Sequence, residues 1–283
     1  MYTDGAAPQP FFLPVEGSGQ RFCLYHAAAA PCRGALLLVP PFGDEMNKSR
    51  RMLALLARAL ARQGVATLQI DLYGCGDSSG DSGDARWSLW LDDLHHASAW
   101  LQARSGHAPA LLGLRLGALL ALEFAATAPV TRVLLWQPVL DGATFLTQLL
   151  RLRMAGAMLE HPDAPRENTA GLRRRLLDGE AMEIGGYLIA PEFAQALETR
   201  RLGNWGRADC PLHWFDVGQP GRAWPPAALA VQDAWRMRDI AVDAHLVDGP
   251  QFWGTQEITT SAALIGASAA LAPLFAMEAA DAL

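Results

Sequence analysis

Gly113-Leu114-Arg115-Leu116-Gly117 has the spacing of a Gly-x-Ser-x-Gly turn. In that turn two glycines let a strand bend sharply into a helix and hold the middle residue up for reaction. Here the middle residue is Arg115. A guanidinium stays protonated, offers five donors and has no lone pair, so it cannot attack a carbonyl carbon. It can hold a carboxylate or phosphate through two parallel hydrogen bonds, helped by the free N–H groups and dipole of a helix start. Two readings stay open: Arg115 binds an external anion, or Asp44, Glu45, Asp77 or Glu257 neutralises it from within. The blandest reading is a glycine-rich strand-to-helix turn whose arginine points to solvent.

Other segments fall where such a turn would need them. In Pro40-Pro41-Phe42-Gly43 the prolines have no N–H, so Phe42 or Gly43 would supply one donor of an oxyanion hole and Leu116 the second. Asp71-Leu72-Tyr73-Gly74-Cys75-Gly76-Asp77-Ser78 is an Asp-x-x-Gly-x-Gly-x-Ser loop. The general base is missing from its expected place, because residues 248–254 contain no histidine. The nearest is His245, inside a strand, and Asp216, a weak acid candidate, would have no imidazole to orient. Ser-His-Asp catalysis is therefore not expected. Cys75 would need Arg115 to lower its pKa before it could act as a nucleophile. Asp92 and His96, at i and i+4, read as an exposed polar helix face, and no metal site or cofactor is expected. His26, His107, His161 and His213 are isolated. Glu45, Asn47, Asp77, Arg115, Trp253 and Glu257 are the candidate ligand contacts, with Lys48 and Arg50 on the same rim.

The elements that would position these residues follow from apolar runs of strand length alternating with segments of helical period. A hairpin is expected over 11–15 and 21–26, strands at 35–39, 65–70, 110–113 and 132–136, and helices at 45–63, 87–104 and 116–127. From 138 to about 207 only helical segments are legible, broken near His161-Pro162 and Gly185-Gly186. Strand–helix order resumes at 212–217, 226–237 and 240–247, with a last helix after it. The expectation is an α/β-hydrolase fold: one domain over 1–283, a doubly wound, mostly parallel eight-stranded sheet. Residues 138–207 would form a helical cap between its sixth and seventh strands, over the carboxyl ends where ligands bind.

Composition narrows the function classes. Among 283 residues, 51% are hydrophobic and 18% charged, which excludes a disordered chain or a coiled coil. The net charge of −6 argues against nucleic-acid binding through a basic surface. Four scattered cysteines form no Cys-x-x-Cys pair and read as free thiols. The first residues carry no secretory pattern. The uncharged run 258–277 is rich in Ala, Ser and Thr with Gly266 and Pro273 inside, so a packed terminal helix is expected rather than a membrane span. A cytoplasmic location is expected.

Residues 40–52 and 71–78, Trp90-Leu91-Asp92-Asp93-Leu94, Gly113 to Ala118, Gly186-Tyr187-Leu188 with Pro191, and Phe252-Trp253 with Thr255 to Ile258 carry a family resemblance. Together they resemble the second type of α/β-hydrolase-like protein associated with the exosortase A system. That resemblance implies a cytoplasmic protein of Gram-negative bacteria encoded near exopolysaccharide genes, and no particular substrate. Two functions are weighed. One is a non-catalytic protein that holds an anionic ligand or a protein partner in the crevice. The alternative is a hydrolase or acyl-transfer enzyme acting on an ester or thioester by a non-standard mechanism.

Overall fold

The computed structural model describes residues 7–29, 31–160, 167–207 and 209–275. In chain order the elements are β1 (Gln9–Pro14), β2 (Gln20–His26), β3 (Gly34–Val39), α1 (Asp44–Arg62), β4 (Val65–Ile70), α2 (Trp87–Ser105), β5 (Pro109–Leu114), α3 (Leu116–Ala125) and β6 (Val133–Trp136). They continue with α4 (Gly142–Glu160), α5 (Thr169–Leu177), β7 (Met182–Ile184), β8 (Tyr187–Ile189), α6 (Pro191–Glu198), β9 (Leu212–Gly218), α7 (Pro226–Arg236), β10 (Val242–Asp248) and α8 (Ala262–Ala269). Eight strands form one sheet in the order β1-β2-β4-β3-β5-β6-β9-β10. Only β2 runs against the others, pairing antiparallel with both β1 and β4.

The central strands are short apolar runs because both faces of a parallel sheet are covered. Alternation along each strand then sorts its side chains into two cores. Leu37 and Val39 of β3, Leu111 of β5 and Leu135 of β6 join the core packed with α2 and α3. Leu36 and Leu38, Leu112, and Leu134 and Trp136 join the other, with α1 and α8. Helix α1 buries Met52, Leu53, Leu56 and Leu60 along one stripe. Helix α3 is buried nearly all round, as its unbroken apolar sequence requires.

The segment between β6 and β9 corrects one expectation. It is not helical throughout, because β7 and β8 form an antiparallel hairpin whose turn is Gly185-Gly186, both at positive φ. That pair is a two-residue hairpin turn rather than a helix break. Strands of three residues are too short to show a period, which is why they were not legible. The segment is tied to the sheet's loops: the Leu188 N–H donates to Ser82 Oγ at 2.9 Å, and Arg200 grips Glu123 at the end of α3. His161 and Pro162 lie outside the described residues. No helix among the described residues is long and apolar enough to cross a membrane; the 258–277 run contributes the eight-residue α8.

Candidate active site

Arg115 sits at φ 56° and ψ −117°, a left-handed conformation that a side chain adopts only under constraint. The constraint comes from its neighbours. A Cβ on Gly117 would lie 2.4 Å from the Pro40 carbonyl oxygen, and one on Gly113 would lie 2.5 Å from Ala118 Cα. The start of α3 is thus pressed against the end of β3, and both glycines are obligatory. The Arg115 N–H donates to the Trp136 carbonyl, while the Ala118 and Val139 N–H groups donate to the Arg115 carbonyl. These bonds fix the turn.

The Arg115 guanidinium meets three partners from distant parts of the chain. Its Nε donates to Glu45 Oε1 at 3.0 Å, and its Nη1 to the Gln137 carbonyl at 3.3 Å. Its Cζ lies 5.5 Å from the centre of the Trp253 ring, a cation–π contact. Of the four acids that could neutralise Arg115, Glu45 is the one that does so, from the first turn of α1. Glu45 Oε2 is buried and accepts no hydrogen bond from the protein. Burial pushes the Glu45 carboxyl above its usual range, and the charge of Arg115 opposes that rise without cancelling it.

Gly43 precedes α1 with φ 65°, so it too occupies a backbone region suited to glycine. Among the described residues, no acceptor takes a hydrogen bond from the N–H of Phe42, Gly43 or Leu116. The aromatic ring of Tyr187, at the start of β8, lies 3.6 Å from where a Gly43 Cβ would be, and its hydroxyl accepts from Asn47 Nδ2 at 3.1 Å. Phe42 is buried between Trp90, Tyr187 and Phe193. Beside Arg115 a cavity of about 300 Å3 is lined by Gln137, Leu140, Thr144, Phe145 and Asp216 among others.

The remaining expected residues divide clearly. Asp216 is buried in β9 and lines the cavity, but its carboxylate is taken by Arg222. Trp253 occupies the loop where a base would stand and covers Arg115 instead. Asp77 and Glu257 are exposed, and neither pairs with Arg115. Asn47 reaches Tyr187, and Lys48 pairs with Asp44 at 2.7 Å. Arg50 holds Asp71 with two bonds of 3.0 and 2.9 Å, and Ser78 Oγ donates to the Asp71 carbonyl at 2.5 Å, so the 71–78 loop is a wired scaffold.

Burial, with Asp71 and Asp93 adding, pushes the Cys75 thiol up to about 12, which favours the thiol over the thiolate near neutral pH. His245 stacks on Phe215 with ring centres 4.6 Å apart, away from the elbow. Asp92, His95 and His96 are exposed on α2, while the neighbouring Asp93 is buried and bonded to Arg21 at 2.6 Å. No group of three or more metal-type ligands occurs among the described residues. Sequence reading missed Gln137. Its φ of 42° turns the carbonyl to Arg115, while its side-chain oxygen takes the Val217 N–H at 2.7 Å. Nothing about a glutamine after an apolar strand signals that geometry.

Comparison with solved structures decides the fold. Est1E from Butyrivibrio proteoclasticus with bound ferulic acid matches over 94% of this chain and 97% of that one, at a TM-score of 0.64 and 14% identity. A lipase in an open form matches over 96% and 100%, at 0.66 and 17%. This chain has the α/β-hydrolase fold. The esterase domain of a Rhodothermus marinus protein, 18% identical, aligns over 96% of this α/β hydrolase-fold chain and 97% of its own, at a TM-score of 0.59. A family model described as serine aminopeptidase, S33, matches residues 30–169, which include the elbow and end before Asp216 and Trp253. No curated protein sequence matches. Within this fold, Arg115 stands at the turn between β5 and α3, and Trp253 lies in the loop after β10.

Proposed function

We propose that this protein hydrolyses, or transfers the acyl group of, an uncharged ester or thioester without a covalent serine intermediate. The observation that carries this reading is the Arg115–Glu45 ion pair. It cancels the positive charge at the elbow, so a free anion gains little there. The N–H groups of Gly43 and Leu116 keep their donor capacity for a carbonyl oxygen that becomes negative during acyl transfer. The esterase and lipase folds that the chain resembles support the same chemistry, by analogy of fold. The resemblance to exosortase A-associated proteins supports a polysaccharide or lipid precursor as acyl donor, and a cytoplasmic location.

A second reading has its own observation: an arginine stands at the nucleophile position and a tryptophan at the base position. Under it the crevice binds a carboxylate or phosphate without turnover, and the ligand displaces Glu45 from Arg115. A panel of p-nitrophenyl esters and acyl thioesters separates the two. Turnover above buffer that falls in Arg115→Ala supports the first. No turnover by the wild type, with acetate or phosphate raising its melting temperature and not that of Arg115→Ala, supports the second.

A further inference from the structure

We propose that a second cavity, between α1 and strands β2, β4 and β3, binds a medium-chain aliphatic carboxylate, with the chain inside and the carboxylate on Arg51. The cavity measures about 290 Å3 and shares no lining residue with the one beside Arg115. Met46 lines it, while the adjacent Glu45 pairs with Arg115, so the first turn of α1 serves the two places with different residues. The proposal goes beyond the acyl-transfer reading and holds under either account of the elbow.

The lining is hydrocarbon. Leu38 of β3, Ile70 of β4 and Leu53 of α1 are buried at its floor, and Phe22, Leu24 and Ala54 are partly exposed walls, so solvent reaches it. Methylene groups placed there take apolar surface out of water. Beyond the cavity Phe12, 48% exposed, meets Phe22 edge-on with ring centres 5.7 Å apart and extends the apolar wall onto β1. The polar groups inside are engaged. Gln69 Nε2 meets His26 Nε2 at 3.0 Å, and Asp71 is clamped by Arg50. A peptide laid against these leucines would bury N–H and C=O groups without partners, whereas an aliphatic chain has none to satisfy.

Two guanidiniums stand at the mouth in different states. The charge of Arg50 is cancelled by Asp71. Arg51 is exposed and, among the described residues, has no hydrogen bond or ion pair. One uncompensated positive charge beside an apolar cavity suits a ligand with a hydrocarbon body and a single negative head. A carboxylate meets a guanidinium through two parallel bonds, and its one charge leaves nothing unpaired. The volume lies at the small end of ligand sites, about 300 Å3, which admits one chain rather than a diacyl lipid.

The test is calorimetric titration of the full chain with butyrate, hexanoate, octanoate and octan-1-ol, for wild type, Arg51→Gln and Ala54→Phe, with thermal melts to establish folding. Affinity should rise up to about fourfold per methylene from butyrate to octanoate. Arg51→Gln should weaken octanoate about fivefold and leave octan-1-ol unchanged. Ala54→Phe fills the cavity and should abolish both. A diazirine-bearing octanoate should label peptides of β2, β4 and α1, which locates the chain even if Ala54→Phe fails to fold. No binding of octanoate by the wild type at millimolar concentration overturns the proposal, as does affinity that does not grow with chain length. Octanoate binding unchanged in Arg51→Gln overturns it too. Label confined to residues 137–148 would put the chain beside Arg115 and overturn it while leaving the acyl-transfer reading standing.

Discussion

Arg115 holds the strained backbone of a tight strand-to-helix turn, yet its side chain cannot act as a nucleophile. Placing serine there would not supply serine chemistry. Arg115→Ser should remain unlabelled by a fluorophosphonate, because among the described residues no imidazole contacts Arg115 and the Trp253 ring covers it. The ion pair is also testable as a pair. Its side chains are 16% and 23% exposed, so Arg115→Ala should cost about 2 kcal/mol, most of it from leaving Glu45 without a counter-charge. Arg115→Ala with Glu45→Gln should recover much of that loss, as a double-mutant cycle in urea would read. The sequence narrowed the partner of Arg115 to four acids. Which one is chosen depends on the rotational phase of α1 and on where its first turn begins, and neither is set by residue type.

At the scale of elements, what was legible had a period or an obligatory residue. β3, β5, β6 and β9 show as apolar runs, and the elbow shows as two glycines. The close packing that makes those glycines necessary yields a direct expectation. Gly117→Ala drives a methyl into the Pro40 carbonyl and should cost about 3 kcal/mol, read from the urea midpoint, with the elbow displaced. Gly185→Ala meets no neighbour and strains only the φ of 59°, so it should cost about 1 kcal/mol. The hairpin β7–β8 was missed because three residues cannot display alternation. Its contribution is made by tertiary contacts, Tyr187 against Gly43 and Leu188 against Ser82, that no local pattern encodes.

For the whole molecule, acid stability turns on histidines far from the elbow. Burial lowers both His26 and His213 from 6.5 to about 4, so both are neutral in the folded protein near neutral pH. A depressed histidine pKa means that the unfolded chain binds the extra protons, so stability is present above pH 6.5 and is lost as pH falls toward 4. Melting temperatures should fall across that window. His213→Gln, which keeps an acceptor for Arg132, should flatten the fall. The sheet order carries a consequence in time. β6 is a fully apolar strand whose outer neighbour, β9, is not made until residues 137–211 have been synthesised. Until then the Val133–Trp136 edge is open, an invitation to pair with another nascent chain. The long segment between them therefore sets how long each new molecule waits before its sheet is safe from its siblings.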